Sequence, residues 1–355
     1  MTELERRIKA KIPGPDTGIE VRHTMCDICS PGMHCGINAY IKDGKVIKIE
    51  GIDGHPSNDG RLCTKGMANR EYIYREDRIK TPLRRVGKRG EGRFEPISWE
   101  EAYEEIAKGL NRCKEKYGAE SVAFYSGYSK WYRQMLRRLA YAFGSPNYGC
   151  ESSACYTAAF MAWKVAAGEQ GNPDMGHSDL FLGWAFNPFY SSYMGAHSAM
   201  KLKEKGLKFL IVDTRRTPAT EKLADLFLQP KTGTDGALAH AIANVLIEND
   251  WIDRPYIDRY VYGFEEYAAY VKQFNEGNIQ SITGVPYSQV VAAARLIHEN
   301  PRMSCNESSA PLCHHRNGLQ NYRSVMALLA ITGNFDRTGG TEAVRTQLHA
   351  CALRV

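Results

Sequence analysis

Four cysteines constrain this chain more than any other feature. They are spaced Cys26-x2-Cys29-x5-Cys35, and Cys63 follows after 27 residues. Three soft donors from one loop and a fourth from a returning segment can close a tetrahedral cage, so residues 21–66 must fold back on themselves. Two short alternating segments flank Asp43-Gly44 inside that span, the pattern of a tight hairpin. Two groups suit four thiolates: a structural zinc ion or an Fe–S cluster. Zinc sites more often pair two CxxC knuckles, and here there is one, which tilts the choice toward Fe–S. Zinc stays open, and with it a binding or assembly module without catalysis.

The compartment bears on this choice. Residues 1–20, MTELERRIKAKIPGPDTGIE, contain Arg6-Arg7 but no apolar stretch after it, so neither a Sec nor a twin-arginine signal is read there. A cytoplasmic location is therefore expected, where thiols stay reduced and clustered cysteines serve metals or catalysis. The same residues are read as a polar, poorly ordered arm. Hydrophobic residues at 43% and charged residues at 24% fit a soluble globular chain and exclude disordered or collagen-like classes. No apolar run approaches the roughly 18 residues of a membrane span. The net charge of +6 comes without a dense Lys/Arg block, so no nucleic-acid partner is expected.

Beyond the cysteines the pattern becomes α/β. Ser98-Trp-Glu-Glu101 is a capping box that opens a helix running to about Tyr117, with Gly118 as its stop. Strands are predicted at 121–125, 179–183 and 207–213. Helices are predicted at 131–143, 155–167, 192–205, 237–248, 290–299 and 317–332. Strand–helix alternation at this spacing argues for a parallel sheet in Rossmann-like α/β layers.

Taken together, these motifs carry a resemblance. Cys26–Gly66 resembles the N-terminal [4Fe-4S] domain of the molybdopterin oxidoreductases, the DMSO reductase superfamily, with five residues where that family's second spacing has three. The likeness continues in order along the chain. Thr81-Pro-Leu-Arg-Arg85 and Phe94–Ala102 are similar to the family's entry into its α/β domains. Asn187-Pro188 resembles its Gly-x-Asn-Pro turn, with Ala185 where Gly is usual. Val212–Thr217 resembles its Asp-Pro-Arg segment, Lys231–Leu238 its Pro-Gly-Thr-Asp motif, and Leu329–Gly340 its Thr-Gly-Asn…Gly-Gly run.

This resemblance implies a [4Fe-4S] domain at 21–80, interleaved α/β domains at 81–340 and a tail of unclear structure at 341–355. It implies two cofactors, a [4Fe-4S] cluster on Cys26, Cys29, Cys35 and Cys63, and a Mo- or W-bis(molybdopterin guanine dinucleotide). Cys155 matches the family's protein ligand to the metal, and its place at a helix start favours the thiolate. Lys65 would lie on the electron path between cluster and pterin. Asn187, Asp213, Arg215, Gly233, Thr234 and Asp235 would bind the dinucleotides, since ligands of open α/β sheets sit beyond the carboxyl ends of strands and at helix N-termini. His314-His315-Arg316 could approach a substrate or pterin.

The activity implied is two-electron redox chemistry on a small oxygen- or sulfur-bearing or hydroxylated aromatic substrate, with an Fe–S electron-transfer subunit as a partner. Tyr156 stands where the family's formate dehydrogenases usually carry His, which points away from formate. A tungsten hydratase of the acetylene hydratase type is the non-redox alternative. The family's chains are longer and end in a further barrel domain, so the chain reads as a fragment or as completed by a second polypeptide.

Overall fold

The computed structural model describes residues 2–29, 34–128 and 131–343. The chain divides into two units, Met1–Glu151 and Ser152–Val355. The tail expected from 341 onward lies outside the described residues from position 344.

In the first unit, the arm expected over residues 1–20 contains a helix, α1 (Glu3–Lys9). A capping box of Thr2 and Glu5 starts it, and it buries no residue. The cysteine segment follows as a three-stranded antiparallel sheet of β1 (Glu20–Met25), β2 (Gly36–Lys42) and β3 (Lys45–Gly51). The β2–β3 turn forms at Asp43-Gly44, whose φ values of 50° and 72° are the left-handed pair that a type I′ hairpin needs. The short α2 (Thr64–Met67) begins directly after Cys63.

Ser98 and Glu101 cap α3 (Trp99–Tyr117), and Gly118 closes it with φ 86°. The strand expected at 121–125 is displaced. Residues Ala119–Ser121 form a 3₁₀ turn, in which Ser121 Oγ donates to the Gly118 carbonyl. Pairing therefore starts at β4 (Phe124–Ser126), which lies parallel to β5 (Tyr148–Cys150) across α4 (Arg133–Phe143).

The second unit is built on four parallel strands, β6 (Leu180–Trp184), β7 (Lys208–Val212), β8 (Leu226–Leu228) and β9 (Met303–Glu307). Its helices include α5 (Thr157–Ala167), α6 (Tyr193–Glu204), α7 (Asp235–Glu248), α8 (Tyr287–Glu299), α9 (Ser309–Cys313) and α10 (Gly318–Ile331). Each falls within two or three residues of a predicted helix, except α9, which periodicity does not mark. Both faces of the sheet are covered. Leu182, Trp184, Leu210 and Val212 pack on one side with Leu238 and Ile242 of α7, while Phe181, Phe209 and Ile211 pack on the other with Ala199 of α6. That double burial is why β6 and β7 read as continuous apolar runs rather than alternating ones.

The order across the sheet is β8-β7-β6-β9. The chain thus winds outward in one direction from β6 and then returns to its other side at β9. The gap between β6 and β9 is the switch point, beyond whose carboxyl ends such sheets bind ligands.

Candidate functional site

Two constellations emerge, one in each unit. In the first, the Cys26 amide donates to the Cys35 carbonyl at 2.9 Å, joining the cysteine loop at its neck. The fourth cysteine is returned by Asn58, which is 2% exposed. Its Oδ1 accepts from the Gly36 amide at 2.8 Å, and its Nδ2 donates to the carbonyls of Gly36 at 3.1 Å and Arg61 at 2.7 Å. One buried amide thus ties the residue after Cys35 to the segment leading into Cys63. Buried Gly66 brings its backbone near the nest, with space for no more than ordinary contact between an added Cβ and Cys26 Sγ at 3.8 Å.

The four thiols act on one another. Burial pushes Cys26 up, and the charges of Cys63 and Cys29 push it further. Burial also raises Cys35, followed by Cys26, Cys63 and Cys29. Cys26 and Cys35 thus resist deprotonation until a cationic group takes their charge, so the donor set fits a thiolate-held centre. Among the described residues, no three His, Cys, Asp or Glu side chains are grouped as a single-ion site. Most of the spacer between Cys29 and Cys35 lies outside the described residues. Lys65 stands in α2, exposed, two residues after Cys63.

In the second unit the residues named from sequence gather at the carboxyl edge of the sheet. Ala185 follows β6 and takes φ 55°, a left-handed conformation that favours glycine. Its amide donates to the Val212 carbonyl at 2.7 Å, which links the ends of β6 and β7. Asn187 comes next, with its side-chain Oδ1 buried and, among the described residues, without a partner. Asp213 follows β7, and its Oδ1 accepts the Arg215 amide at 3.2 Å. Burial raises the Asp213 carboxyl, Arg215 opposes that shift, and the charge of Asp235 adds to it, so the two acids share one field.

Asp235 itself is buried and accepts from Trp184 Nε1 at 2.8 Å, so that oxygen is already committed. The Thr234 hydroxyl donates to the Lys231 carbonyl at 2.7 Å rather than capping α7. Gly233 has φ 83°, and the nearest atom to an added Cβ is His315 Nδ1 at 4.0 Å. His315 therefore lies beside the turn that opens α7. Arg215 and Arg216 are exposed, with Arg216 over the Phe227 ring.

Cys155 is partly exposed, two residues before α5, and its amide donates to the Ser152 carbonyl at 3.3 Å. The Cys313 thiol at the end of α9 is pushed up to about 11 by burial, then by the charges of Glu307 and Cys155. These three side chains therefore occupy one region at the end of β9. Periodicity does not mark β9 as a strand, because its sequence MSCNE is only half apolar, and Glu307 goes unseen with it. Cys305 is buried, Cys113 is half-buried and Cys351 lies outside the described residues.

A doubly covered parallel sheet with ligand-ready loops at its switch point, joined in sequence to a four-cysteine hairpin, defines a class of cofactor-binding iron–sulfur α/β protein. The profile of the molybdopterin oxidoreductase Fe4S4 domain matches residues 19–75, and that of the molybdopterin oxidoreductase family matches residues 78–355. The chain belongs to the molybdopterin oxidoreductase family. Molybdopterin with Mo or W and a [4Fe-4S] cluster are the cofactors these domains indicate.

The chain is similar to the probable oxidoreductase YoaE of Bacillus subtilis, 33% identical over 89% of this chain and 47% of the relative. It is similar to the F420-dependent formate dehydrogenase 1 subunit alpha of Methanococcus maripaludis, 30% identical over 92% of this chain and 48% of that one. Among solved structures, acetylene hydratase from Pelobacter acetylenicus superposes with a TM-score of 0.78 at 28% identity, covering 88% of this chain and 43% of that one. The chain spans about half the length of the curated relatives it matches. No helix among the described residues is long and apolar enough to cross a membrane.

Proposed function

We propose that this chain forms the cluster- and metal-binding part of a Mo- or W-bis(molybdopterin guanine dinucleotide) oxidoreductase, with Cys155 as the protein ligand to the metal. One observation carries the reading. Cys155 shares the region at the end of β9 with Glu307 and Cys313, in the unit whose switch point also gathers Asn187, Asp213 and Asp235. When bound, the metal supplies two-electron redox chemistry, and the cluster supplies single-electron relay.

The chain's own residues do the holding and tuning. Cys26, Cys29, Cys35 and Cys63 carry the cluster, and Lys65 places a cation beside it on the proposed electron path. Asn187 offers an unused buried acceptor to a guanine or pterin N–H. Asp213 and Arg215 offer a carboxylate and a guanidinium for base and phosphate, and Gly233, Thr234 and Asp235 open α7 where backbone amides meet a pyrophosphate. The substrate class is a small oxygen- or sulfur-bearing or hydroxylated aromatic molecule, with an Fe–S protein as electron partner and the cytoplasm as location.

Metal analysis of the purified protein and of Cys155→Ala tests the proposal. The parent is expected to hold iron together with molybdenum or tungsten, and the variant to keep iron while losing the second metal and the activity. Active protein without molybdenum or tungsten overturns the reading. The fold shared with acetylene hydratase supports a second reading, non-redox hydration, which predicts turnover of acetylene with no electron acceptor present.

A further inference from the structure

The second unit contains a cavity of about 1440 Å³ whose floor is the side of α7 and α10 turned away from the sheet. Gly236, Ala237 and His240 of α7 line it, whereas Leu238 and Ile242 of the same helix pack with Leu182 and Trp184 of β6. Two steps along a helix turn it by about 200°, which puts these two sets on opposite faces. Ser324 and Ala327 of α10 continue the floor, and the walls come from Trp163 at the end of α5 and from the helices Arg254–Tyr260 and Phe264–Val271. Asn187, Asp213, Asp235 and Cys155 do not line it, and the cofactor edge meets it only at the Gly233-Thr234 turn.

Ring faces and guanidinium groups dominate the lining. The His240 ring stands 5.2 Å from Phe274, 5.3 Å from Tyr270 and 5.7 Å from Tyr267 between centroids. Both of its nitrogens are engaged inside the protein, Nδ1 at 3.3 Å from the Tyr267 hydroxyl and Nε2 at 3.0 Å from the Ser324 hydroxyl. Ser324 in turn donates to the Gln320 carbonyl at 2.8 Å, so the polar edge of the histidine is satisfied without a ligand. Tyr260, Tyr262 and Tyr270 line the same cavity and stay exposed, an aromatic surface open to solvent. Arg337 is committed to Asp253 at 2.9 Å. Among the described residues, the other two arginines of the lining have no acidic partner: Arg259 lies over the Tyr260 ring at 5.1 Å, and Arg323 donates to Gln320 Oε1 at 3.1 Å. Asp336 is the single acid among the described lining residues.

We infer that the cavity over α7 and α10 is a binding site for a small arene carboxylate, whose ring lies against the tyrosines and His240 and whose charge meets Arg259 and Arg323. Cys155 plays no part in this site. A guanidinium is weakly hydrated, stacks on ring faces and presents a planar fork that matches a carboxylate. Two such groups without acidic partners, beside an aromatic wall, favour a ligand that carries both a ring and an anion over one that carries either alone. The volume exceeds the roughly 300–1,000 Å³ of most small-molecule sites, which leaves room for two fused rings. Binding here makes or breaks no covalent bond.

Calorimetric titration of the holoprotein with 2-naphthoate tests it, beside 2-naphthamide, which has the rings without the charge, and cyclohexanecarboxylate, which has the charge without the rings. Saturable single-site binding of naphthoate is expected, with each comparator weaker by about tenfold or more. Replacing both arginines, Arg259→Gln with Arg323→Gln, should weaken naphthoate by about the same factor and leave naphthamide unchanged. Ala237→Trp fills the floor and should abolish naphthoate binding. Both arginines are exposed, so their removal leaves the fold in place and decides the matter even where the tryptophan variant does not fold. The inference is overturned by an absence of saturable naphthoate binding, or by either comparator binding as tightly as naphthoate. A double arginine variant, or a folded Ala237→Trp protein, that binds naphthoate like the parent overturns it as well.

Discussion

Asn58 clasps Gly36 by both of its backbone groups, accepting from the amide at 2.8 Å and donating to the carbonyl at 3.1 Å. Because the same side chain also holds the Arg61 carbonyl, it closes the loop that returns Cys63 to the other three cysteines. Asn58→Ala leaves the Gly36 amide and the Arg61 carbonyl without this partner, while the Gly36 carbonyl keeps the Ile52 amide at 3.1 Å, a loss of about 2–3 kcal/mol at roughly 1 kcal/mol or more for each. The expected result is protein with less iron and a weaker visible Fe–S absorbance per chain, while the fold of the second unit is retained. Iron analysis with circular dichroism checks this. Full iron occupancy in the variant would show that the clasp is dispensable.

Ala185 occupies a left-handed position, with φ 55°, at the turn between β6 and Asn187. A non-glycine residue there costs about 1–2 kcal/mol, and glycine returns about 0.5–1 kcal/mol of that through its freedom in the unfolded chain. Ala185→Gly is therefore expected to raise stability by up to about 1 kcal/mol, and Ala185→Val to lower it by more than that. Urea unfolding midpoints of the two variants should move in opposite directions. A drop in both would mean that the strain is not where the backbone places it.

How much of this was legible in the sequence follows from what each signal reports. The Asp43-Gly44 hairpin and the Ser98–Glu101 cap are local, set by backbone preferences within four residues, and both are seen as read. The runs of β6 and β7 are legible because both faces are buried. β8 and β9 are not, since three or five residues with mixed polarity take their burial from α7, α9 and α10, which sit far away in sequence. Trp184, Asn58 and Glu307 went unseen for the same reason. A buried indole held by Asp235, a clasp across 22 residues and an orphan carboxyl oxygen exist only once the chain has folded. Ala185 was visible as a departure from an expected glycine, and the backbone supplies the reason why glycine would suit that position.

Gly318 begins α10, and a Cβ there would run into the carbonyl group of Cys313. The contact is backbone on backbone, so no side chain can swing aside to relieve it. Gly318→Ala is expected to cost about 1–3 kcal/mol, the usual penalty of overpacking, and to push α9 away from α10. Because Tyr322 lies one turn further along α10 and donates to Glu307, the displacement should also disturb the carboxyl at the end of β9. A thermal melt reads the first effect, and tyrosine fluorescence reads the second. A variant as stable as the parent would show that the junction between α9 and α10 can yield.

His240 of α7 is enclosed by Tyr267, Tyr270 and Phe274, stacking on the last with ring centroids 5.2 Å apart, and its Nε2 lies 3.0 Å from the Ser324 hydroxyl. It lines a cavity of about 1440 Å³, and among the described residues no charged group acts on its ring. Burial pushes it down to about 4, against an ordinary value near 6.5. Between those two values the unfolded chain holds a proton that the folded chain refuses, so stability is complete above about pH 6.5 and falls as pH drops toward 4. At about 1.36 kcal/mol per pH unit, the loss over this window reaches about 3 kcal/mol at most. Glu307 works in the opposite sense, since its raised value costs stability as pH climbs from about 4.5 toward 8, so the variant must be compared with the parent at each pH. His240→Gln keeps a polar partner for Ser324 and removes the titration. The parent-to-variant difference in urea midpoint should therefore shift in favour of the variant as pH falls from 7 to 4.5. A difference that stays constant across that range would mean that His240 already accepts its proton in the folded chain.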